Sequence, residues 1–170
     1  MSGRPRSAPE WRLAGAAALL AMVASCGQPG NGKNPDISLE SAKTKVMSSE
    51  QEILGLLPGD AVLSTFAHDT SGLMPCTGGD RRKWTGDAVA EVGADVDREA
   101  ILDEVVELME AKDGWTVDDG KTPGGARRID LLHSDGTHLF VFFVGGPESL
   151  RVEGYSACFD FPDYEYGEEY

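Results

Sequence analysis

The stretch Ala126-Arg127-Arg128-Ile129-Asp130-Leu131-Leu132-His133-Ser134-Asp135-Gly136-Thr137-His138-Leu139-Phe140-Val141-Phe142-Phe143-Val144 reads as a hairpin with strong chemistry behind its turn. Two strand-like runs flank Asp135-Gly136, a pair that tolerates positive φ and so favours a two-residue hairpin turn. That turn predicts a register in which Ile129 opposes Phe142 and Leu131 opposes Phe140, all four in the core. The same register sets His133 directly across from His138.

Working outward, Gly145-Gly146-Pro147 turns the chain and Leu150 to Phe159 reads as a last strand. Upstream, Trp115-Thr116-Val117 reads as a strand before the turn-rich run Asp118 to Gly125. A helix is predicted from about Asp97 to Lys112. Ile101, Leu102, Val105, Leu108 and Met109 fall on one face, with Asp103, Glu104, Glu107 and Glu110 outward, Asp97 as cap and Gly114 as stop. Arg82 to Val92 alternates as a strand with Trp84, Ala88, Ala90 and Val92 on one side, and Gly86 is expected to mark a bulge. Ala61 to Ala67 is a further strand, leading into a loop from His68 to Asp80. Ser38 caps a first helix that carries Ala42, Val46, Ile53 and Leu57 and ends at Pro58-Gly59. Residues 37–160 are therefore expected to form one α+β domain. It would hold an antiparallel sheet of about five or six strands, two helices packed on one face and one disulfide. Residues 161–170 interleave Asp163, Glu165, Glu168 and Glu169 with Tyr164, Tyr166 and Tyr170, and are expected to be a disordered acidic tail.

The other end of the chain speaks about location. Arg4, Arg6 and Arg12 outweigh Glu10 ahead of the apolar run Leu13 to Val23. That run, roughly 11 residues, has signal-peptide length and falls short of the ~20 needed for a permanent span. It closes in Val23-Ala24-Ser25-Cys26, which resembles the lipobox of bacterial lipoproteins. The resemblance implies removal of residues 1–25 and a diacylglyceryl group on the Cys26 thiol. Two acyl chains suffice for stable anchoring where one does not. Residues 26–36 then form a lipidated cysteine and a polar, flexible tether. With no arginine pair in the n-region, general secretion is expected, with the domain on the extracytoplasmic face of the cell membrane. The order of Val23 to Cys26, Pro75-Cys76, Gly114-Trp115 and Ser156-Ala157-Cys158 resembles small lipoproteins of high-GC Gram-positive bacteria. That resemblance implies a location and a compact α+β domain, and carries no activity.

Once Cys26 is assigned to lipid, Cys76 and Cys158 remain as an even pair in an oxidising compartment, and a structural disulfide is expected between them. The chain carries a formal charge of −14, and loss of the signal's three arginines and one glutamate takes it to −16. Nucleic acid and anionic lipid surfaces are poor partners for such a balance. The short clusters Arg81-Arg82-Lys83 and Arg127-Arg128 read as solvated strand ends.

The chemistry is sparse. No Gly-x-Ser-x-Gly elbow, His-Glu-x-x-His helix or phosphate-binding glycine loop is present, and no cofactor is expected. The predicted His133–His138 pair could bind a metal if His68 or Asp69 supplied a third ligand. Three functions follow as expectations. The first is a non-catalytic envelope lipoprotein that binds a partner protein or small ligand with its open sheet face or loops. The second is a metal-binding lipoprotein using His133, His138 and His68. The third, an envelope hydrolase, requires a cleft containing a carboxylate of raised pKa.

Overall fold

The computed structural model describes residues 37–77, 79–145 and 148–170. The expected signal, Cys26 and the expected tether lie outside the described residues, as do Gly78 and the Gly146-Pro147 pair. In chain order the elements are α1 (Leu39–Leu54), β1 (Val62–Ala67), β2 (Leu73–Pro75), β3 (Arg81–Val92), α2 (Arg98–Glu110), β4 (Trp115–Lys121), β5 (Arg127–His133), β6 (His138–Val144), β7 (Ser149–Tyr155) and β8 (Phe159–Asp160). Both helices start where their caps dictate: the Ser38 hydroxyl accepts from Ser41 N–H at 3.1 Å, and the Asp97 carboxylate accepts from Ala100 N–H at 3.1 Å.

All strand pairs are antiparallel, in the order β1-β3-β7-β6-β5-β4, with β2 and β8 also paired to β3. The fold is thus α+β as expected, with eight strands among the described residues instead of five or six. The two extra strands arise at β3, which is long enough to hold two partners on each side. The expected loop after β1 returns to β3 as β2. The expected last strand splits at Ser156, whose own N–H still donates to Trp84 C=O at 2.9 Å. Its hydroxyl replaces a backbone acceptor for Trp84 N–H at 2.9 Å and donates to Ala157 C=O at 2.9 Å. Cys76 and Cys158, beside β2 and β8, form the expected disulfide across a sequence separation of 82. Closing so long a loop stabilises the domain by about 4.5 kcal/mol in the chain-entropy picture.

The hairpin differs from expectation by one residue. Ile129 pairs with Val141, Leu131 with Leu139 and Leu132 with His138. The loop has three residues, Ser134-Asp135-Gly136: His133 N–H donates to Thr137 C=O and Gly136 N–H to His133 C=O, both at 2.8 Å, with Gly136 at φ 96°. That is a turn followed by a left-handed glycine, the usual three-residue hairpin. The consequence is a change of face for β6. Leu139, Val141 and Phe143 are buried with Ile129 and Leu131, while Phe140 and Phe142 stand on the opposite face.

Both helices cover the face that carries Trp84, Ala88, Ala90, Ile129, Leu131, Leu139, Val141, Leu150 and Val152, all buried. Helix α1 lies over β3 and β7 and α2 over β4, β5 and β6. The C-terminal residues are packed rather than loose. Ser71 and Tyr170 exchange two backbone bonds, Trp84 Nε1–H donates to Tyr170 C=O at 2.9 Å, and the Tyr170 ring meets Phe161 and Tyr164.

Candidate functional site

The uncovered face of the sheet is built in rows, because residues opposite one another in neighbouring strands point the same way. One row runs Val89, Arg151, Phe142, Arg128; the next runs Asp87, Glu153, Phe140, Asp130, Asp118; a third runs Thr85, Tyr155, His138, Leu132. The arginine row is tied to the carboxylate row. Arg151 donates to both Asp87 oxygens at 2.8 and 3.0 Å, and Arg128 to both Asp130 oxygens at 2.5 and 2.6 Å. Arg128 also lies over the Phe140 ring at 4.6 Å from its centroid, and Tyr155 meets the same ring edge-on. A depression of about 300 Å3 is lined by Arg128, Phe140, Phe142 and Glu153 together with Thr122 and Pro123.

The histidines are not brought together. His133 belongs to the helix-covered face, where its Nδ1 lies 2.8 Å from Lys45 Nζ and its ring packs edge-on against Trp115. His138 is on the open face beside Phe140, where burial followed by the Arg128 and Lys83 charges holds its pKa below the ordinary value despite Asp130. His68 contacts Phe66 after β1. The one-residue change of register is the reason: Leu132, not His133, stands opposite His138. Among the described residues no group of three or more His, Cys, Asp or Glu side chains is placed to hold a metal ion. The turn instead supports a link to α1, in which Lys45 donates to Asp135 at 2.6 Å. Burial would raise the Asp135 pKa, but Lys45, Thr137 and His133 together hold it well below the carboxylate range.

The group that sequence reasoning missed is Glu50. It lies on α1, 1 % exposed, and its Oε1 has no hydrogen-bond partner. It sits over Gly86 and Gly154, which face each other in β3 and β7. A Cβ at Gly86 would come within 2.8 Å of Val46 Cγ1 and one at Gly154 within 2.8 Å of Glu50 Oε1, so the two glycines make the space for the carboxyl. Gly86 is therefore no bulge; the β3–β7 register runs through it unbroken. Burial, with a smaller contribution from Asp87, pushes the Glu50 pKa up to about 8. The raised pKa that a hydrolase would need is present, but the carboxyl is sealed between helix and sheet. Only the glycine pair, a weak signal in sequence, hints at it.

No protein-family model, curated protein or solved structure matches the chain. No helix among the described residues is long and apolar enough to cross a membrane.

Proposed function

We propose that the protein is a cell-envelope lipoprotein, held on the extracytoplasmic face by a diacylglyceryl group on Cys26, whose domain is a non-catalytic binding module. The uncovered sheet face is its binding surface. The observation that supports this most is the composition of that face. A solvated antiparallel face ordinarily reads polar, whereas this one carries Phe66, Phe140, Phe142, Leu132 and Tyr155 interleaved with Arg128 and Arg151. Aromatic and arginine side chains are the types that anchor protein interfaces. A binding role also accords with Glu50, the one carboxyl of strongly raised pKa among the described residues, lying out of reach of a substrate.

A photo-crosslinking amino acid placed at Phe142 in intact cells tests this, with the same probe at Glu107 on the outer side of α2 as control. A discrete adduct from position 142 alone, reduced when Cys26→Ala releases the domain from the membrane fraction, is the expected result. Equal or absent labelling at the two positions would remove the binding face. A Cys26→Ala protein that stays membrane-bound would remove the anchor.

A further inference from the structure

The two edges of the sheet are unlike. The β4 edge carries Asp118, Asp119 and Lys121, charges of the kind that keep strands from pairing there. The β1 edge, Val62-Leu63-Ser64-Thr65-Phe66-Ala67, has no charge at all, and every residue after Val62 is exposed. Leu63 is 70 % and Phe66 57 % exposed. His68 N–H donates to Asp87 C=O at 3.1 Å, so the alternation of the ladder turns the backbone groups of Phe66 and Ser64 toward β3 and those of Thr65 and Ala67 outward. That is an open row of donors and acceptors.

Two depressions flank this row. At its start a cavity of about 510 Å3 joins apolar Leu63, Val96 and Ile101 to Asp60, Asp95 and Glu104, and no basic residue lines it. Toward its end a second of about 350 Å3 lies between Leu54 of α1 and Thr65, Phe66 and Ala67. Leu63 and Ala67 are four residues apart, about 13 Å along a strand. An added strand would reach both depressions with side chains four positions apart on one face.

We propose that the β1 edge is a strand-addition site for an extended basic segment of a partner protein. The backbone of Thr65 and Ala67 supplies the pairing, and a lysine or arginine of the added strand lays its stem on Leu63 and Ile101 with its charge among Asp60, Asp95 and Glu104. Charge complementarity selects this occupant over a second copy. In an edge-to-edge dimer centred on Thr65, Leu63 faces Ala67 of the other copy, which carries Asp69 two residues on toward the same carboxylates. This inference rests on reading the domain as a binding module but uses the strand edge and its flanking depressions, which share only Phe66 with the open face.

The probe is an eight-residue peptide alternating lysine and valine, with its glutamate–valine counterpart as control, added to the purified full-length protein. The lysine peptide is expected to bind in a salt-sensitive manner and to slow amide hydrogen exchange at Thr65 and Ala67. The double variant Asp95→Asn, Glu104→Gln should weaken it about tenfold while leaving the fold intact, and Thr65→Pro should abolish it. Equal binding of both peptides, protection at β4, or protection at Thr65 that grows with protein concentration alone would each overturn the proposal. Phe140→Ser, made with the crosslinking probe still at position 142, separates the two readings: it should leave peptide binding unchanged while removing the open-face adduct.

Discussion

The two faces of the sheet use the same strands and opposite chemistry. On the helix side, alternate residues are apolar and sealed, and one neutral acid fills the space left by two glycines. On the open side, many of the residues between them are aromatic or charged, and both arginines are paired, Arg128 with Asp130 and Arg151 with Asp87. Burial sets stability on the first face, since each large apolar side chain there adds roughly 1.5–3 kcal/mol. Partly exposed ion pairs add little, typically under about 1 kcal/mol. The open face is therefore the one free to be shaped by binding.

The sharpest way to break this contrast is to truncate one residue on each face. Leu131→Ala, fully buried, should cost roughly 2–5 kcal/mol in denaturant unfolding, while Phe142→Ala should cost about 1 kcal/mol. Comparable losses would mean that the open face is part of the core.

That assignment of faces was only half legible in the sequence. Caps, helices, the disulfide and the six principal strands follow from local chemistry: Ser38 and Asp97 as caps, Gly114 at positive φ, Cys76 and Cys158 as the remaining even pair. The register of the hairpin does not. In His138-Leu139-Phe140-Val141-Phe142-Phe143-Val144 both alternate sets are apolar, so the pattern cannot choose a face and the turn alone decides. Asp135-Gly136 suits a two-residue turn, but the Asp135 carboxylate accepts from Thr137 N–H at 2.8 Å and from Lys45, which fixes the three-residue loop. The Lys45 partner is 90 positions away in sequence, beyond any local reading. Glu50 was hidden for a similar reason, since its space is made by glycines of two strands brought together only in the fold.

A second prediction concerns that acid. With a folded pKa of about 8 against an ordinary 4.5, Glu50 is protonated in the fold at neutral pH and ionised when unfolded. The unfolded state binds fewer protons between those values, so stability should fall as pH rises from 4.5 to about 8. Glu50→Gln keeps the shape without the ionisation. It should flatten that part of the profile and raise stability near pH 8 by roughly 1–3 kcal/mol. An unchanged slope in the variant would assign the pH dependence elsewhere.

The smallest effect tests whether the two faces are separate at all. Asp87 stands on the open face, bonded to Arg151, yet its charge adds to the upward shift of Glu50 on the other side. Gly86 and Gly154 let the Glu50 carboxyl lie directly against the sheet backbone, and Asp87 follows Gly86 in β3, so the carboxylate of one face lies close enough to act on the acid of the other. Asp87→Asn should change stability at pH 6 by under about 1 kcal/mol, as expected for a partly exposed pair. The same variant should move the Glu50 titration downward, followed by the carboxyl carbon resonance. A Glu50 titration that does not respond to Asp87 would mean that burial alone sets its pKa and that the glycine pair passes no charge effect between the faces.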